Sequence, residues 1–163
     1  MSAINKINIQ QKLKDSNDLL LIGIKEGQKR FSLLKGIPLE IQNKLKSIVE
    51  FEKDFGKNET KTIVYDEGEF KRISLYGYKN LKTNDELRSL GSKIVSYINI
   101  NKLKDASIDL KSFGVITEIK LQAFCEGLVL GSYEFLDYKA KSKPKSLKSI
   151  TLIGDGKEAT VSK

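Results

Sequence analysis

One run of residues, Leu19-Leu20-Leu21-Ile22-Gly23-Ile24, closed by Glu26-Gly27, constrains this chain more than any other feature. A half-exposed strand alternates apolar and polar side chains, whereas this run is apolar at both parities, so both of its faces must be hidden. It is also far shorter than the roughly 20 apolar residues that cross a bilayer. The expectation is a buried strand inside a sheet that is covered on both sides.

The rest of the chain supplies partners and covers for that strand. Ile4, Ile7 and Ile9 mark a short strand near the start. Pro38 suits a helix's first turn, and Ile41, Leu45, Ile48 and Val49 recur at helical spacing toward Gly56, leaving Lys44, Lys46 and Glu50 for solvent. Thr62 to Tyr65 and Arg72 to Tyr76 are β-prone, and the turn-like Asp66-Glu67-Gly68-Glu69 between them is short enough for an antiparallel hairpin. Thr83-Asn84-Asp85-Glu86 fits a capping box opening a helix whose apolar stripe is Leu87, Leu90, Ile94 and Ile98. After a short segment around Ser107 to Leu110, a third helix is predicted from about Val115 to Ser132, with Leu121, Phe124, Cys125 and Leu128 on one face. Ser149 to Gly154 reads as the last strand. No internal repeat is visible.

Strands alternating with helices in this way predict an α/β fold, three-layer α/β/α, with a mixed, mostly parallel sheet of about six strands. A length of 163 residues fits one domain, assigned to residues 1–154, with 155–163 as the start of a linker. The opening MSAINKINIQQKLKD lacks the continuous apolar core of a secretion signal, and a cytoplasmic protein with no membrane partner is expected.

Composition narrows the chemistry. The chain has no histidine and one cysteine, Cys125, which excludes Ser-His-Asp and Cys-His relays, an intramolecular disulfide and a Cys/His zinc finger. On the apolar face of a helix, Cys125 is read as packing. The formal charge of +8 favours encounters with polyanions without specifying a site.

The segment Ala123-Phe124-Cys125-Glu126-Gly127-Leu128-Val129-Leu130-Gly131-Ser132-Tyr133-Glu134-Phe135, followed by Asp137-Tyr138-Lys139, resembles the end of the amino-terminal domain of the leucyl aminopeptidase family. Ile73 to Gly77 running into the Thr83 to Val95 helix, and a lysine-rich link leading to Leu147 to Ile153, are similar in the same order. The match is most specific from about Gln122 to Lys139 and loose over the first 60 residues. Read physically, Gly131 would end the helix in a left-handed conformation, and Tyr133 and Phe135 would pack beneath it.

The resemblance implies a macro-domain-like fold and a two-domain parent enzyme, usually hexameric. Its larger carboxy-terminal domain binds two divalent metals, zinc or manganese, and removes amino-terminal residues from peptides. The family's metal ligands lie in motifs like Val-Gly-Lys-Gly and Asn-Thr-Asp-Ala-Glu-Gly-Arg, and neither occurs here. No catalytic, cofactor-binding or metal-binding residue is therefore assigned, and the chain is expected to be a truncated, non-catalytic domain that serves assembly and active-site access. Its expected partners are the catalytic domain and further copies of itself.

Three other readings compete. Lys139, Lys141, Lys143, Lys145 and Lys148 would neutralise phosphates if the segment bound nucleic acid, and some bacterial members of the family bind DNA. The plainer reading of that stretch is a solvated interdomain connection, and no aromatic-basic interleaving marks a base-stacking surface. The carboxylates of Asp66, Glu67 and Glu69 suit a hard cation but fit a polar hairpin turn better. Gly23, Gly27, Gly154 and Gly156 follow apparent strands, where related macro folds bind ADP-ribose, yet the chain lacks an adequate glycine-rich phosphate loop.

Overall fold

The computed structural model describes residues 6–10, 19–25, 39–51, 60–64, 72–79, 81–115, 117–139 and 149–154. In chain order these form β1 (Lys6–Gln10), β2 (Leu19–Lys25), α1 (Leu39–Phe51), β3 (Thr60–Val64), β4 (Arg72–Tyr78), α2 (Asn84–Ile100), β5 (Asp105–Asp109), a single 3-10 turn (Lys111–Phe113), α3 (Glu118–Lys139) and β6 (Ser149–Ile153). The strands make one sheet in the order β1-β6-β5-β2-β4-β3. Every neighbouring pair is parallel except β3 with β4, where Ile63 faces Ile73 across an antiparallel ladder.

The β2 run does what its composition demands. Leu19, Leu20, Leu21, Ile22 and Ile24 are all fully buried, between β5 on one side and β4 on the other. Leu19 and Leu21 join Ala106, Ile108, Ile150 and Leu152 in a core closed by Leu87, Leu90, Ile94 and Ile98 of α2 and Leu121, Phe124 and Leu128 of α3. Alternation along the strand places Leu20, Ile22 and Ile24 on the opposite face, with Ile73 and Leu75 of β4, and these are equally buried. Each such side chain contributes on the order of 1.5–3 kcal/mol by leaving water. On α1, Ile41 and Leu45 are buried, whereas Lys44 and Lys46 are exposed as their spacing predicts.

The start of α2 is set locally. Thr83 accepts a hydrogen bond from the Glu86 amide at 3.2 Å, and the Glu86 carboxylate accepts one from the Thr83 amide at 3.1 Å, completing the capping box.

Two expectations about α3 are corrected. It begins at Glu118, because Gly114 adopts a left-handed φ of 72° that stops the preceding turn and Thr117 caps the helix by accepting from the Lys120 amide at 3.3 Å. Nor does it end at Gly131; it continues to Lys139. The role of Gly131 is proximity, since a Cβ there would lie 2.6 Å from the Cα of Ser92 on α2. At Gly127 a Cβ would collide with the backbone carbonyl of Arg88. The two glycines therefore let α3 rest almost backbone to backbone on α2. The side chains of Tyr133 and Phe135, and the expected starts and ends at Ile4, Pro38, Gly56 and Tyr65, lie outside what is described.

Candidate functional site

In a parallel sheet the carboxyl ends of the strands form the crest where ligands commonly sit. Here the crest at β2, β4 and β5 is gathered around the 3-10 turn. Ser112 Oγ accepts a hydrogen bond from the Gly23 amide at 2.7 Å and donates to the Asp109 carbonyl at 2.6 Å. The Tyr78 hydroxyl donates to the Ser112 carbonyl at 2.8 Å. Phe113 fills the space over Gly23, where a Cβ would stand 2.6 Å from its ring, and packs against Tyr78 and Phe124 with centroids 5.4 and 6.3 Å away.

This arrangement packs the 3-10 turn onto the sheet crest. Ser112 Oγ has both its donor and an acceptor position engaged. Burial pushes the Tyr78 phenol up to about 12, away from any role as a proton acceptor near neutrality. Asp109 is 2% exposed, and burial raises its carboxyl to about 6, against the lowering effect of the Ser112 and Lys111 amides and the Lys111 charge. One of its oxygens, Oδ1, is buried without a hydrogen-bond partner. The Cys125 thiol is buried and pushed up to about 11 by desolvation and the nearby Glu126 charge, which suits packing and opposes nucleophilic reactivity.

Of the residues singled out in sequence, Gly23, Cys125, Lys139 and Gly154 are described. Gly23 lies at the crest, but its amide is held by Ser112, so that amide is not offered to a phosphate. Gly154 donates its amide to the Gln10 carbonyl at 2.8 Å, extending the β1–β6 pairing. Lys139 is the last residue of α3, whereas Lys141, Lys143, Lys145 and Lys148 lie outside the described residues, as do Asp66, Glu67, Glu69, Gly27 and Gly156. Among the described residues, no three cysteine or carboxylate side chains come together as a metal-binding group, so no donor set fits the two metals that the resemblance implies. No helix among them is long and apolar enough to cross a membrane. Sequence reading missed the knot of Tyr78, Asp109 and Ser112, whose one local signal is Gly114 closing the turn directly after Ser112-Phe113.

A second concavity lies between the end of β4 and the first half of α2. It has a volume of about 220 Å³ and takes Lys79, Ser89 and Lys93 on its walls.

The strand order and the alternation of strands with helices define the class as an α/β domain, and its macrodomain neighbours among solved structures make the fold macro-like. Solved structures agree on the fold: the Trypanosoma brucei macrodomain in complex with ADP-ribose superposes with a TM-score of 0.64 at 12% identity, covering 95% of this chain and 66% of that one. A mutant of tomato leucine aminopeptidase gives a TM-score of 0.64 at 19% identity, over 91% of this chain and 32% of that one. Residues 21–142 match the N-terminal domain of the cytosol aminopeptidase family, and the chain belongs to that family. Leucine aminopeptidase 1 of Arabidopsis thaliana is 30% identical over 159 residues, which is 90% of this chain and 30% of the relative. The chloroplastic leucine aminopeptidase 2 of the same plant is 35% identical over 91 residues, covering 53% of this chain and 16% of the relative. The chain thus spans a third or less of the aminopeptidases it matches.

Proposed function

We propose that residues 1–154 act as a non-catalytic amino-terminal module of a dimetal leucyl aminopeptidase, with residues 155–163 leading toward the catalytic domain. The family match over residues 21–142 carries this reading. The absence of histidine and of both family metal motifs from the sequence supports it. In the parent enzyme the catalytic domain supplies two zinc or manganese ions and the peptide chemistry, while this module contributes to hexamer assembly and to access to the active site.

The test is direct. The purified chain, supplied with manganese or zinc and a leucyl chromogenic substrate, is expected to show no turnover above the metal-only blank. Turnover that tracks the chain through purification would refute the non-catalytic reading.

Nucleic-acid binding through Lys139, Lys141, Lys143, Lys145 and Lys148 is the second reading, favoured by the formal charge of +8. It predicts a DNA affinity that falls steeply between low and physiological salt; absent or salt-insensitive binding removes it. ADP-ribose binding rests on likeness of fold at 12% identity, and the engagement of the Gly23 amide by Ser112 weighs against it.

A further inference from the structure

The concavity between β4 and α2 has the composition of a small-ligand site that the aminopeptidase reading does not use. Its apolar lining comes from Leu81, from Leu90, which is 5% exposed, and from the ring of half-buried Tyr76. The same walls include Lys79, Lys93, Tyr76 and Ser89, whose ammonium and hydroxyl groups can donate hydrogen bonds. Ser89 and Lys93 are four residues apart on α2 and so share one face of the helix.

Among the described residues Lys79, Ser89 and Lys93 make no side-chain hydrogen bond or ion pair, while the Tyr76 phenol has the Tyr97 phenol as an electrostatic neighbour. The wall also carries one carboxylate, Glu86, whose Oε1 is oriented by the capping box, accepting from the Thr83 amide at 3.1 Å, the Lys82 amide at 3.2 Å and the Thr83 hydroxyl at 3.1 Å. Two ammonium groups against one carboxylate leave the cleft wall positive on balance, with apolar surface from Leu81, Leu90 and the Tyr76 ring beside it. Convergent polar groups over an apolar lining are the general form of a ligand pocket, and about 220 Å³ lies below the range for drug-sized molecules.

We propose that this cleft binds a small amphipathic anion, a carboxylate or phosphate monoester carried on a short apolar or aromatic body. Lys79 and Lys93 take the charged group, with the Ser89 and Tyr76 hydroxyls donating to its oxygens, while the body lies against Leu81, Leu90 and the Tyr76 ring. The site is independent of the proposed aminopeptidase role, since it needs no residue outside this domain.

Titration of the 163-residue chain with hydrocinnamate and with phenyl phosphate, followed by amide NMR, tests the site. Both probes are expected to give saturable shifts at Lys79, Ser89 and Lys93, and the tighter of the two identifies the anion. Neutral hydrocinnamamide should bind about tenfold more weakly, the loss of roughly one charge-assisted hydrogen bond. Lys93→Met should lose about as much, with the melting temperature unchanged because Lys93 is exposed, and Tyr76→Phe should lose a smaller factor. Equal binding of the neutral amide, equal binding of inorganic phosphate, or unaltered affinity in Lys93→Met would overturn the proposal.

Discussion

At the scale of single residues, Asp109 is the most informative side chain. In the unfolded chain its carboxyl titrates near 3.8, and in the folded domain near 6, so between those values the native state holds a proton that the unfolded state has lost. Its contribution to stability is therefore greatest at and below about pH 4, falls as pH rises through that window, and stays flat above about pH 6. The difference corresponds to about 3 kcal/mol from the linkage relation. Asp109→Asn, which keeps an acceptor for the Ser112 and Lys111 amides, should raise the denaturation midpoint at neutral pH and abolish this slope. Urea titrations at several pH values measure both effects. A second residue-scale expectation concerns Cys125: buried on α3 with a raised pKa, it should resist alkylation in the native protein and react only at the rate of unfolding, a contrast that mass spectrometry resolves. Burial at these two positions was unequally legible in sequence. The apolar helical stripe already places Cys125 inside, but nothing around Asp109 announces a carboxylate enclosed at the end of a strand, because what encloses it is tertiary.

At the scale of elements, the α2–α3 pair depends on glycines whose role sequence reading inverted. Gly131 looks like a helix stop because glycine takes left-handed conformations easily, yet a glycine in a helix can equally mark the close approach of a second helix. Only the neighbour decides between the two, and here it is Ser92. Gly127→Ala should therefore destabilise the domain by about 2 kcal/mol despite alanine's better helix propensity, since the obstructing atoms belong to the Arg88 backbone and cannot swing aside. Thermal denaturation reads the effect; a neutral or stabilising outcome would mean the two helices can separate at little cost. Thr83→Ala removes the acceptor for the Glu86 amide and should cost about 1 kcal/mol. This cap was readable in advance because all its partners lie within four residues. The β3–β4 pairing was readable because its partners are still close in sequence, from Val64 with Arg72 to Thr60 with Tyr76, whereas the order β6-β5-β2 is set by contacts much farther apart.

For the whole molecule, a parallel sheet with an antiparallel edge, its central strand β2 buried on both faces, follows from the apolar β2 run and from strands alternating with helices. The family was legible from the segment ending at Lys139, although its fold-level kinship to macrodomains does not carry a ligand across at 12% identity. The crest shows why: the strand end that could meet a phosphate is plugged by Phe113, and the Gly23 amide is engaged by Ser112. The chain covers 30% and 16% of the two Arabidopsis thaliana leucine aminopeptidases it matches. The most direct measurement is the native mass of the protein in extracts of the source cells, detected with an antibody against this domain. The account predicts a chain far larger than 18.4 kDa that co-purifies with leucyl aminopeptidase activity; a native chain of 18.4 kDa, free of that activity, would contradict it.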